Sequence, residues 1–223
     1  MDSFNPNTIK IHHKTPLIPD DFRNCAVVGS TRTGKTSLLP KILSKLHDFK
    51  YLIIFAKHPD QEVYKHIIAH AKEKGTHVYV RESPDMELIE SLRDKLKESN
   101  HNVVIVDDFL ENKILDPLTS LASAGRHMNL SNYFLVQDFY ALPKDIRLNL
   151  TEFMILRCDN FTDMLKKLPH FLPNDEMVGV YNEVIDKPYN FLYVCKDAMN
   201  PVLRVRKGFN GILKSMIPPQ EEK

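Results

Sequence analysis

The sequence is short of charge imbalance, of cysteine, of glycine and of long apolar runs, and each shortage excludes something. Its 30 basic and 29 acidic residues leave a formal charge of +1 over 223 residues. No global basic field therefore advertises a polyanion partner. Contact with nucleic acid has to come from a local patch, or from several subunits pooling theirs. Three cysteines, Cys25, Cys158 and Cys195, stand far apart, each in or beside an apolar run. Without a Cys-x-x-Cys pair or Cys/His ligand spacing, buried free thiols in a reducing compartment are expected. No N-terminal signal pattern is present and no apolar stretch approaches a membrane span, so a soluble intracellular protein is expected. The length suits one domain with a sizeable core.

Only seven glycines occur, which sharpens the place where two of them fall at a meaningful spacing. Gly29-Ser30-Thr31-Arg32-Thr33-Gly34-Lys35-Thr36 follows the apolar run Cys25-Ala26-Val27-Val28 and leads into a helical pattern from Ser37. A strand, a glycine-bounded loop and a helix N-terminus, in that order, form a phosphate-binding loop. Its backbone N–H groups would surround a β-phosphate, and the helix dipole favours the anion. Lys35 is expected to reach the β- and γ-phosphates, and the Thr36 hydroxyl to join a Mg²⁺ shell. Gly29 through Ser37 is thus the candidate site for a nucleoside triphosphate.

The rest of the chain alternates strand and helix signals. Cys25–Val28, Tyr51–Ala56, Val103–Val106, Tyr133–Val136 and Phe153–Leu156 suit buried strands of a parallel sheet, with His77–Val80 as a further edge strand. Met86–Glu98 repeats Leu88, Leu92 and Leu96 at helical spacing, and Ser83-Pro84-Asp85 supplies a cap, a first-turn proline and a first-turn acid. Gln61–Lys74 is a second helix, closed by Gly75. The pattern predicts a doubly wound α/β domain in which ligands bind beyond the carboxyl ends of the strands. Residues 1–21 read as an arm, 22–217 as one domain, and Pro218–Lys223 as a flexible tail. Phe191–Lys196 and Pro201–Lys207 predict a C-terminal β-hairpin.

Two further strands end in polar groups. Asn102-Val103-Val104-Ile105-Val106-Asp107-Asp108 closes on paired carboxylates, which are costly at the exit of a buried strand unless they meet a cation or water. Asp107 is expected to order the Mg²⁺ shell, and Asp108 to polarise an attacking water. Tyr133-Phe134-Leu135-Val136 closes on Gln137, which would reach a γ-phosphate or the lytic water if its strand lies between the other two. Arg126 precedes this strand. A strand of about six residues is roughly 20 Å long, so Arg126 would not reach its own subunit's γ-phosphate; it either reaches a neighbour's in trans or lies on a solvated loop or in an ion pair away from phosphate. Arg147 and Arg157 compete for that role, with Arg157 also a candidate sensor within the subunit. Lys166-Lys167 and Arg204-Val205-Arg206-Lys207 are local basic clusters, read as solvated surface.

The order of these signals resembles a known family. The phosphate loop, the Asp107–Asp108 strand, Gly125-Arg126-His127-Met128-Asn129, the Gln137 strand, Pro143, Arg147, Asn149 and Asp163–Leu168 are similar to the viral genome-packaging ATPases of the FtsK–HerA superfamily, the poxvirus type above all. The similarity spans Asn24 to Pro169. It implies a P-loop NTPase fold, a three-layer αβα domain whose mostly parallel sheet carries an additional strand. It further implies ATP and Mg²⁺ as ligands, Lys35 and Thr36 on phosphate and metal, and Asp107 and Asp108 as metal-ordering and water-activating acids. Gln137 becomes a γ-phosphate sensor and Arg126 a trans-acting arginine. Many relatives carry Asp-Glu where this chain has Asp107-Asp108, one methylene shorter. Such proteins work as rings, usually hexamers, that drive double-stranded viral DNA into a capsid through its packaging vertex. The resemblance places the protein in the virion, the host cytoplasm or a viral factory. Two other readings share the loop: a cellular or plasmid DNA translocase or helicase of the same superfamily, and a non-motor kinase or nucleotide switch.

Overall fold

A computed structural model describes residues 8–10, 22–46, 48–109, 118–213 and 216. The tail Pro218–Lys223 and most of the expected arm lie outside these residues. The strands are β1 (Thr8–Lys10), β2 (Asn24–Val28), β3 (Tyr51–Ala56), β4 (His77–Arg81), β5 (Asn102–Asp107), β6 (Leu130–Val136), β7 (Glu152–Ile155), β8 (Leu192–Cys195), β9 (Val205–Lys207) and β10 (Gly211–Leu213). The helices are α1 (Lys35–Leu43), α2 (Glu62–Glu73), α3 (Met86–Glu98), α4 (Thr119–Ala124), α5 (Lys144–Leu148), α6 (Phe161–Leu165) and α7 (Asn174–Ile185).

All ten strands join one sheet in the order β1-β10-β9-β8-β7-β2-β6-β5-β3-β4. From β7 to β4 every pairing is parallel; from β7 to β1 every pairing is antiparallel. The apolar runs become strands because both faces are covered. Along β2, Cys25 and Val27 pack with Leu39 and Ile42 of α1 and Tyr64 and Ile67 of α2. Ala26 and Val28 point the other way, into a core shared with Leu92 of α3, Ile146 of α5 and Tyr181 of α7. Alternation therefore feeds two cores, one on each side of the sheet, and the three-layer architecture follows.

β6 inserts between β2 and β5, with Val28 opposite Val136 and Asp107 opposite Leu135. Because the strands run in parallel, their carboxyl ends share one rim. The amino ends share the other, where a structural polar layer is buried. There Arg23 pairs with Glu152 at 2.5 Å, and Asn132 donates to the Asn24 side chain at 2.8 Å. Asn24 in turn donates to the backbone oxygens of Ala122 and Asn149, which joins β2 to α4 and to the turn after α5.

Several local expectations need correction. α3 spans Met86–Glu98 as expected, but its cap is Asp85, whose carboxylate accepts from Leu88 N at 2.9 Å, so Ser83 is not the cap and Pro84 and Asp85 lie before the first turn. The second strand of the hairpin starts at Val205, not Pro201. Pro201 lacks a ladder donor and opens a short 3₁₀ turn, which Asn200 caps by accepting from Val202 N. Two strands were not foreseen, β10 and its partner β1, which lies within the expected arm. The Arg204–Lys207 cluster is not solvated surface. Arg204 lies over the Phe171 ring, Arg206 is buried over Tyr193, and Lys207 pairs with Glu183 at 2.5 Å. Lys166 fits its expectation, exposed and paired with Asp163.

Candidate active site

The segment after β2 is a loop because two neighbours hold its start. Gly29 N donates to Val136 O of β6 at 3.2 Å, and Ser30 N donates to Arg157 O beyond β7 at 2.8 Å. Thr33 folds back, its hydroxyl donating to Ser30 O at 2.8 Å. Gly29 has no room for a side chain: a Cβ there would stand 2.6 Å from Thr33 Oγ1 and 2.9 Å from Leu156 Cβ. Gly34 has a φ of +100°, a left-handed turn that points the chain into α1. The first N–H groups of α1 have no acceptor within the helix, no side chain caps them, and the dipole there favours an anion.

Lys35 reaches back across this loop. Its ammonium donates to Gly29 O at 2.7 Å and Ser30 O at 3.1 Å. Burial lowers its pKa from the usual lysine value, while Asp107 and Asp108 pull it back up. The Thr36 hydroxyl donates to Asp107 Oδ2 at 2.9 Å, and the Tyr64 hydroxyl from α2 donates to the same oxygen. Asp107 is 4 % exposed. Burial raises its carboxyl above the ordinary range, and the two hydroxyls oppose that rise. A carboxylate so placed, in hydrogen-bond reach of a loop hydroxyl, is a hard-oxygen pair suited to Mg²⁺, which takes one or two carboxylates and completes its shell with phosphate and water.

Asp108 leaves the strand in a left-handed conformation, φ +67°, with its N–H donating to Leu135 O at 3.4 Å. That twist turns its side chain toward Gln137. Gln137 Nε2 donates to Asp108 Oδ1 at 3.1 Å, while the Thr31 hydroxyl donates to Gln137 Oε1 at 3.0 Å. Loop, glutamine and acid thus form one bridge across β2, β6 and β5. On the other flank, the Ser30 hydroxyl donates to Asp159 at 3.3 Å.

Gly29–Ser37, Asp107, Asp108 and Gln137 therefore meet at one rim. The three arginines do not join them equally. Arg126 sits exposed in a 3₁₀ turn before β6, at the opposite rim. Arg147 lies over the rings of Phe139 and Tyr140. Arg157 stands beside the loop, donating to Ile185 O at the end of α7 at 3.0 Å. Tyr64 was missed: in the sequence it is one more apolar position on the buried face of α2, and nothing local marks its partner 43 residues away.

A glycine-bounded loop opening a helix, flanked by an acid-tipped strand with one strand inserted between, defines a P-loop NTPase fold. The chain belongs to the poxvirus A32 protein family, whose family model matches residues 10–184. A comparison with curated proteins finds no match. Among solved structures, the chain is similar to the genome packaging NTPase B204 from Sulfolobus turreted icosahedral virus 2 in complex with AMPPCP. That match has a TM-score of 0.56 at 18 % identity, covering 86 % of this chain and 98 % of the other. The same NTPase in complex with ATP-gammaS gives a TM-score of 0.55 at 17 % identity, with the same coverage. EssC (ATPases 2 and 3) from Geobacillus thermodenitrificans gives 0.52 at 11 % identity, covering 86 % of this chain and 38 % of the other. These likenesses are of fold. No helix among the described residues is long and apolar enough to cross a membrane.

Proposed function

We propose that this chain is the ATP-hydrolysing motor that drives double-stranded DNA into a viral capsid. One observation carries the reading: Lys35, Thr36, Asp107, Asp108 and Gln137 converge on a single rim, at the mouth of the Gly29–Thr36 loop. Membership of the poxvirus A32 protein family and the likeness to a packaging NTPase support the use to which that site is put.

In this reading the Lys35 ammonium exchanges the Gly29 and Ser30 carbonyls for the β- and γ-phosphate oxygens. Thr36 and Asp107 are the residues that would hold Mg²⁺. The ion, when bound, supplies charge neutralisation at the phosphate oxygens. Asp108 accepts the proton of the attacking water, with its carboxylate oriented by Gln137 Nε2. Gln137, bridged to Thr31, registers the γ-phosphate and passes its presence to the loop. Arg126, at the far rim, serves the nucleotide of the next subunit in a ring, most simply a hexamer. A ring also explains how a chain of net charge +1 handles DNA, since modest basic loops pool their field around one channel. Capsid or packaging-vertex proteins would be its anchor, in the infected cell's viral factory or in the virion.

The test is ATP turnover with and without double-stranded DNA, for wild type and Lys35→Ala across a range of protein concentrations. Turnover stimulated several-fold by DNA, dependent on oligomer formation and abolished in a Lys35→Ala protein of unchanged circular dichroism, is expected. Turnover retained in Lys35→Ala, or indifferent to DNA, rejects the motor.

A further inference from the structure

We infer that Tyr189 is the platform on which the nucleotide's base rests, a reading that depends on the nucleotide assignment of the Gly29–Thr36 loop. The sheet order gives the direction. Asp107, Asp108 and Gln137 all lie on the β6–β5 side of β2. A triphosphate whose γ end meets them must direct its nucleoside the other way, across β7 toward β8. Two strand spacings, about 10 Å, separate β2 from β8. An α-phosphate and a ribose bridge that kind of gap.

Tyr189 stands there, just before β8. It occupies the third position of a turn, Lys187 to Asn190, closed by Asn190 N donating to Lys187 O at 3.3 Å. Pro188 holds the second position, and Tyr189 has a φ of +63°. Glycine or asparagine is the ordinary residue at such a position, and a bulky ring is disfavoured. The ring nevertheless rests on the loop: a Cβ at Gly34 would be 2.3 Å from Tyr189 Cδ1 and 3.0 Å from Cε1. Tyr189 is still 61 % exposed. Among the described residues Leu148, Tyr189 and Met199 are the exposed large apolar side chains, and Tyr189 is the one packed on the phosphate loop. Arg157 ties the two parts together, its carbonyl on Ser30 N and its guanidinium on Ile185 O at the end of α7. An open aromatic ring in a disfavoured backbone state, fixed to the loop on the nucleoside side, is a stacking surface.

Stacking accepts any base, because every base has a π-face. Tyr189 therefore supplies affinity without choosing between ATP and GTP. The experiment is calorimetric binding of ATP, GTP and inorganic tripolyphosphate to the full chain. Tyr189→Ala weakens ATP and GTP alike, by about ten-fold, and leaves tripolyphosphate unchanged; Tyr189→Phe binds as wild type; Lys35→Ala weakens all three. Equal loss of ATP and tripolyphosphate in Tyr189→Ala would mean that the ring only braces Gly34, and no loss would mean that it touches neither; each overturns the platform while sparing the nucleotide site. Wild type binding neither ATP nor tripolyphosphate removes the nucleotide assignment, and the platform with it. The chain has no tryptophan, so Tyr189→Trp adds a single emitter. Its fluorescence is expected to change on addition of ATP but not of tripolyphosphate, and an unchanged signal with bound ATP counts against stacking.

Discussion

The Tyr64 hydroxyl donates to Asp107 Oδ2, so the first turn of α2 is tied to the tip of β5. Both groups are buried, and burial also raises the Tyr64 hydroxyl well above its ordinary pKa. A hydrogen bond to a charged group contributes about 1.5–3 kcal/mol. Tyr64→Phe is expected to lower unfolding free energy by about that amount in urea melts, and to raise the Mg²⁺ concentration needed for half-maximal ATP turnover. An unchanged Mg²⁺ requirement would confine Tyr64 to a structural role.

Gly34 meets two obstacles to any side chain, its left-handed backbone and the Tyr189 ring. Gly34→Ala is expected to abolish nucleotide binding, measured by calorimetry. Restoring the space with Gly34→Ala and Tyr189→Gly together relieves the clash but not the backbone strain, so the double variant is expected to recover only part of the affinity.

The seven residues of β6, about 23 Å of strand at 3.3 Å each, separate the turn that holds Arg126 from Gln137. Arg126→Ala is expected to lose ATP turnover alone and regain part of it when mixed with Lys35→Ala, since each variant then supplies what its neighbour lacks. No recovery at any mixing ratio would exclude donation between subunits. The same mixture with Arg157→Ala in place of Arg126→Ala is expected to recover nothing, because Arg157 stands beside its own loop.

The three cysteines are free and buried. Burial first, then the neighbouring Glu152, pushes the Cys195 thiol from 9.0 up to about 11. A group raised on folding contributes stability that is full below the unfolded value and is lost as pH climbs through the folded one. Unfolding free energy is therefore expected to decline between pH 9 and 11, and the decline to be shallower in Cys195→Ala. A parallel decline in both proteins would remove Cys195 as a cause. At pH 8 the native protein is expected to resist thiol alkylation, and the urea-unfolded chain to take up three equivalents.

Much of the fold is legible because β2, β3, β5, β6 and β7 are buried on both faces, and such strands must be apolar at nearly every position. That property survives in one dimension. The meeting of Lys35, Asp107, Asp108 and Gln137 is legible for a related reason: parallel strands bring all their carboxyl ends to one rim, so polar residues at strand exits become neighbours without knowledge of a single contact. Tyr64 and Tyr189 escape the same reading. Each depends on where a helix or turn lands in space, and each looks locally like a core residue or a turn residue. The Arg204–Lys207 run shows the opposite failure. Its charge suggests solvent, but antiparallel pairing of β9 with β8 carries Arg206 inward over Tyr193. Asp85 and Ser83 are both competent caps, and only the position of the first helical turn decides between them.

The outermost pairing joins Thr8–Lys10 to Gly211–Leu213, segments separated by nearly the whole length of the chain. During synthesis the first of these emerges from the ribosome long before its partner exists. Every parallel strand, and the phosphate loop with them, can be in place while that edge is still open. The sheet's outer seam therefore closes only once Gly211–Leu213 has left the ribosome, leaving Thr8–Lys10 to wait for it unpaired on that side.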